Sequence, residues 1–163
     1  MNSNKKGKSW ELEASHLLQE YFGGTFNRVP RSGAMFGGKN IKYAEGQRED
    51  VKEIMSGDII CPEDFPFSVE AKSYSSFDFS KLYSGECKVL DEWIEQADSD
   101  AVLSDREPLI LMKFNYKGAY AVFRRYGYKN EGDRIILFDD YTLYKNEYII
   151  TSIKNFLNEV RSL

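Results

Sequence analysis

Asp58, Glu70 and Lys72 are the residues whose types and spacing could do chemistry, and they share one stretch, "GDIICPEDFPFSVEAK", residues 57–72. Both "DIIC" and "FSVEAK" read as short strands. Side chains alternate along a strand, so Phe67, Val69 and Ala71 point one way and Ser68, Glu70 and Lys72 the other. Glu70 and Lys72 then share a face, roughly 7 Å apart. If "PEDFP" is a hairpin loop, Cys61 pairs with Phe67, Ile59 with Val69, and Asp58 with Glu70. That register sets two carboxylates about 5 Å apart at Cβ, where like charges destabilise a sheet. Lys72 can neutralise part of that charge. A divalent cation does it better, because hard Mg²⁺ takes carboxylate and water oxygens. The alternative is an exposed sheet face on which Lys72 bridges two solvated acids.

The elements that must position these residues are legible around them. "SWELEASHLLQEYF" puts Trp10, Ala14, Leu17, Leu18 and Tyr21 on one helical stripe. Ser9 is the expected N-cap and Gly23-Gly24 the stop. "TFNRV" reads as a strand up to Pro30. The glycine- and charge-rich stretch that follows predicts a long flexible loop over about 33–56, with one short helix near 47–55. "GECKVLDEWIEQADSDA" carries Val89 or Leu90, Trp93, Ile94 and Ala97 at helical spacing. "PLILMKFN" and "AYAVFRR" are strands joined by a turn at Tyr116-Lys117-Gly118. "RIILF" and "EYIIT" read as added edge strands, and "SIKNFLNEVRSL" as a closing helix. The order predicts an α/β fold, a central mixed β-sheet flanked by helices. One domain spans 1–163, with a C-terminal extension from about 126.

Composition narrows the function classes. Eleven Tyr, eleven Phe and two Trp favour a packed globule. No apolar run approaches the length of a membrane span, and the N-terminus lacks the apolar segment of a signal peptide, so a cytoplasmic protein with no membrane partner is expected. Cys61 and Cys87 have no metal-type spacing and are read as reduced thiols. His16 is the only histidine; it lies among apolar helix residues and reads as structural, which disfavours His-based hydrolysis. "GGK" at 37–39 is followed by Asn, so no phosphate-binding Lys-Ser/Thr loop is present. Net charge is −4, but residues 1–42 carry seven Lys/Arg against three acids. A basic face on an acidic chain can still meet phosphate.

Asp58 with "EAK" resembles the signature of the PD-(D/E)XK nuclease superfamily: an acid at the start of one strand, then Glu-x-Lys on the next. Further features resemble its cellular and phage Holliday-junction resolvases. Gly7 and Glu11 match a basic-Gly opening followed by a helix with Glu four residues on. "RVPRSGA" resembles their Arg-containing strand and Ser-Gly turn, and "LDEWIEQA…PLILMKFN" their helix and Lys-bearing strand. The resemblance covers roughly residues 6–125.

It implies a restriction-endonuclease-like core of order αβββαβ and metal-dependent hydrolysis of DNA phosphodiesters. Asp58 and Glu70 would bind Mg²⁺, with the Ala71 carbonyl as a further ligand; Mn²⁺ often satisfies such a site. Lys72 would orient the attacking water or stabilise developing charge. Glu11 would reach the site from the first helix; Glu13 competes for this role, about 200° away in helical phase. Arg28, Arg31, Ser32, Lys39 and Lys42 would contact the DNA backbone. Gln96 resembles a Gln that many superfamily members carry near the site. Lys113 is a candidate for the same cleft, and Trp93 reads as core. The expected activity is cleavage of branched DNA by a symmetric homodimer. The alternatives are a nuclease of linear or single-stranded DNA, and a catalytically silent DNA-binding module.

Overall fold

Eight residues, Phe67–Tyr74, the first five of them buried, form the strand on which the rest is built. The computed structural model describes residues 3–30, 56–125 and 140–160, with side chains from residue 6 onward. Arg31, Ser32, Lys39, Lys42, the expected helix near 47–55 and "RIILF" lie outside the described residues. Within them the order is α1 (Ser3–Phe22), β1 (Asn27–Arg28), β2 (Ile59–Ile60), β3 (Phe67–Tyr74), α2 (Ser80–Ser84), α3 (Lys88–Ser104), β4 (Glu107–Phe114), β5 (Gly118–Arg124), β6 (Tyr141–Tyr144), β7 (Tyr148–Ser152) and α4 (Ile153–Val160). The strands make one mixed sheet in the order β1-β2-β3-β4-β5-β7-β6. Only β3 and β4 run parallel; the other neighbours are antiparallel. A parallel pair needs a crossover, and α2 and α3 supply it. This is the α/β architecture expected, with a restriction-endonuclease-like arrangement of sheet and helices.

The period of two along the strands sorts the core into two layers. Phe67, Val69 and Ala71 on β3, with Leu109 and Leu111 on β4, pack with Trp10, Ala14 and Leu18 of α1 and Phe156, Leu157 and Val160 of α4. Trp10 donates its indole N–H to the Leu111 carbonyl at 2.8 Å, tying α1 to the sheet. On the other face, Ile110, Met112 and Phe114 pack with Leu90, Trp93, Ile94 and Ala97 of α3. The helical stripes read from both segments are therefore the buried faces.

Several boundaries differ from expectation. α1 begins at Ser3, so Ser9 lies inside the helix. The apolar stripe starts only at Trp10, and a polar opening turn has no periodicity to read. His16 is exposed, because it falls between the buried positions Ala14 and Leu18 rather than among them. The strand containing "YIIT" is not an edge: β7 pairs with β5 on one side and β6 on the other. Segment order along the chain does not fix order across a sheet. Among the described residues β6, a segment with no strand expected from the sequence, takes the edge. The chain after residue 140 thus joins the sheet, and α4 fills the first core layer.

The approach to β2 depends on Gly57. Its φ is +73°, and a Cβ there would lie 2.7 Å from the Val69 carbonyl oxygen. The next residue, Asp58, donates its N–H to that same oxygen at 2.8 Å. Gly23 has the same φ, but nothing lies within 4 Å of an added Cβ. Gly23→Ala should therefore cost about 1 kcal/mol of backbone strain. Gly57→Ala should cost at least about 1 kcal/mol more, because strand β3 must also shift. Urea unfolding of both variants checks this; equal losses would show that the close approach to Val69 carries no weight.

Candidate active site

β2 and β3 meet in the register expected of the hairpin, with Ile59 opposite Val69. Asp58, one residue before β2, turns its carboxylate towards β3, where the Ala71 N–H donates to Oδ2 at 2.9 Å. Glu70 projects from the opposite side of the strand to Val69 and is 2% exposed. Asp58 is 7% exposed. The pair is therefore buried, and the reading of two solvated acids on an open sheet face does not describe it.

Burial first, and then the negative charge and hydrogen bonding of Asp58, hold the Glu70 carboxyl well above the usual carboxylate range, against the pull of Lys72. Glu70 Oε2 has no N–H or O–H donor among the described residues. With no metal bound, that raised pKa favours the protonated form of Glu70. That oxygen and the neighbouring carboxylate suit a hard divalent cation, which would replace the proton. Among the described residues, no three His, Cys, Asp or Glu side chains gather closely enough to hold a metal ion. Among the described residues, the carboxylates that could face one ion here are Asp58 and Glu70.

Lys72 lies two residues along the same strand face. Its ammonium donates to Gln96 Oε1 at 2.8 Å and to Glu70 Oε1 at 3.3 Å. The Gln96 amide in turn donates to Glu70 Oε1. Gln96, expected near the site, closes a triangle that fixes where the lysine points. α3 presents Gln96 because Trp93 and Ala97 bury the same side of the helix.

One turn beyond Gln96 lies Asp100, a residue the sequence reading did not single out. It is 3% exposed. Burial, and then the charge of Asp58, push its carboxyl up to about 6, while Lys72 and the donated N–H of Gly57 oppose the rise. Asp100 therefore grips the backbone immediately before Asp58. The signal available in sequence was weak: an acid at i+4 from Gln96 and i+3 from Ala97, on a helix that carries five acids.

Two expected members have other partners. Glu11 forms an ion pair with Arg28 on β1 and makes no three-carboxylate group with Asp58 and Glu70. α1 packs on the opposite layer from α3, and Arg28 meets Glu11 where it emerges. Lys113 pairs with Ser73 in the β3–β4 register, so it shares the α1 face, not the face of Glu70 and Lys72. It donates to Glu13 at 2.6 Å and lies 5.0 Å from the centre of the Trp10 ring. Its parity along β4 is odd, where Met112 and Phe114 are even. Glu13 is thus engaged by Lys113, and does not take the role considered for it.

Other chemistries are absent from this set. Cys61 and Cys87 are free thiols, and burial pushes Cys61 up to about 12, far from a reactive thiolate. Among the described residues, no helix is long and apolar enough to cross a membrane.

A protein-family model described as "Phage putative PDDEXK endonuclease" matches residues 2–162. The match extends past residue 125, where the resemblance read from motifs stopped, and takes in the strands and helix that complete the sheet. Comparison with curated proteins and with solved structures finds no significant match.

Asp100 yields a pH-dependent expectation. Its folded pKa of about 6 exceeds the reference 3.8, so its contribution to stability is full below about 3.8 and is lost as pH rises through about 6. In chelator, wild type should lose on the order of 1–3 kcal/mol relative to Asp100→Asn between pH 4 and pH 7. Denaturant unfolding of both proteins across that range measures the difference; a gap independent of pH would show that Asp100 is not a strained buried acid.

Proposed function

This chain belongs to the phage PDDEXK endonuclease family, and from that premise we propose that it hydrolyses DNA phosphodiesters at the Asp58–Glu70–Lys72 site, with branched DNA as the preferred substrate. The observation that carries the reading is a buried carboxylate pair beside a lysine that a glutamine holds in place.

Asp58, Glu70 and the Ala71 carbonyl would hold the cation, Mg²⁺ or Mn²⁺. When bound, it supplies Lewis-acid polarisation of the scissile phosphate and an acidified water. The protein groups do the rest. The Ala71 N–H aims the Asp58 carboxylate. Gln96 keeps the Lys72 ammonium directed at the carboxylate pair, where it steadies the attacking water and the charge that grows on the phosphate. Lys72 donates to the Glu70 and Gln96 oxygens, and would meet the phosphate in the same way, as a donor. Arg28, kept in place by Glu11, lies at the strand edge and would meet the DNA backbone, together with Arg31, Ser32, Lys39 and Lys42. A four-way junction has two-fold symmetry, so paired cuts call for a homodimer.

Purified protein incubated with a labelled four-way junction and the matching linear duplex, with Mg²⁺ and with chelator, tests this. Paired cuts in the junction, abolished by chelator and slowed roughly 10²–10⁴-fold by Lys72→Ala, are expected. Equal cutting of the duplex would keep the chemistry and replace the branched substrate by linear DNA. Binding without cutting would leave a DNA-binding module. Sedimentation as a monomer by a protein that still makes paired cuts would remove the homodimer.

A further inference from the structure

We propose that Tyr74 is a stacking subsite for an unpaired nucleobase of the DNA substrate. The inference rests on the nuclease reading above and deepens it, by naming a structural feature the substrate must offer.

Glu70, Lys72 and Tyr74 occupy alternate positions of β3, opposite Ile110, Met112 and Phe114 of β4. They therefore share one face, and Tyr74 is one side-chain repeat beyond the lysine, roughly 7 Å along the strand. Exposure rises steeply in that direction, from 2% at Glu70 to 47% at Tyr74. The strand runs from a buried carboxylate pair out to an open aromatic ring.

That ring is held from behind. It lies 4.9 Å from Trp93, tilted by 37°. Trp93 stacks on Phe77 at 6.0 Å and 27°, and Phe77 stacks on Phe114 at 4.9 Å and 26°. Four rings thus form a column that starts in the core and ends at Tyr74. Tyr83 and Tyr116 are more exposed, at 85% and 105%, but have no ring contact among the described residues. They would lose side-chain freedom on meeting a base, whereas the orientation of Tyr74 is already set.

The position fits a base rather than a sugar or phosphate. Lys72 and the carboxylate pair handle the phosphate, and the next group along the same face is apolar and flat. In a paired duplex both faces of each base are covered by neighbours, so only an unstacked nucleotide can present a face to Tyr74. Branch points, nicks with frayed ends and single strands all offer one. This subsite accounts for selection of DNA structure without any base-edge reader.

The test uses the full chain and oligonucleotides carrying 2-aminopurine, whose fluorescence falls on stacking. In chelator, the single strand should be bound and quenched by wild type and by Tyr74→Phe. Tyr74→Ala should bind it roughly 10-fold more weakly or worse, with the quenching lost. Tyr74→Leu keeps an apolar cover over Trp93 and should lose the quenching too, so a folding fault in the alanine variant does not decide the matter. With Mg²⁺, the ratio of cutting rates for DNA with unpaired nucleotides over paired duplex should fall about 10-fold in Tyr74→Ala and stay high in Tyr74→Phe. Quenching by Tyr74→Ala and Tyr74→Leu as strong as by wild type overturns the proposal. If wild type quenches through Tyr74 but cuts nothing, the nuclease reading fails and the subsite stands. If it cuts but ignores Tyr74, the reverse holds.

Discussion

Two carboxylates placed side by side in a buried position are the constraint on which the rest of this structure depends. Asp58 and Glu70 cannot both ionise there without a counter-charge, since each is nearly free of solvent. The protein answers in three ways. The Ala71 N–H satisfies Asp58, the Lys72 ammonium and Gln96 amide satisfy one oxygen of Glu70, and the remaining oxygen is left to a proton or a cation. A fold that buried the same pair for stability alone would gain by replacing it with apolar residues.

The sheet and its crossover exist, from the point of view of this site, to hold α3 over β3. Gln96 and Asp100 both come from that helix, one touching the lysine and the other the backbone before Asp58. α3 is in turn fastened to the strands that close the chain. Asp98 accepts from Tyr148 of β7 and pairs with Arg124 of β5, both at 2.9 Å. Asp91 accepts from Tyr144 of β6 at 2.8 Å and Lys145 at 2.7 Å. Residues far from the carboxylates in sequence thereby set the height of Gln96 and Asp100 above them.

Division of labour between the two faces follows from strand parity. The α1 face carries the larger apolar cluster, and its Lys113–Glu13 ion pair lies at the rim, half open to water. Such pairs contribute little to stability. The α3 face carries the buried polar network and the aromatic column that leads outward to Tyr74. Chemistry and packing are thus separated by one residue of register, and a slip by one position would exchange them.

Much of this was legible in the residues themselves. The alternation of "FSVEAK", the hairpin register that sets Ile59 against Val69, and the buried stripes of α1 and α3 follow from periods of two and 3.6, which are local properties. The Asp58–Glu70–Lys72 set could be read for the same reason: all three belong to neighbouring strands joined by a short loop. What the sequence could not determine depended on distance across the fold. Glu11 was eligible for the site by helix position, but Arg28 holds it; Lys113 was eligible by type, but parity counted from β3 places it behind the sheet. Asp100 carried no local mark, because its importance comes from Gly57 and Asp58 more than forty residues away. Local period decides which face a side chain takes. Only tertiary packing decides what waits for it there, because burial, counter-charges and donors are supplied by other segments.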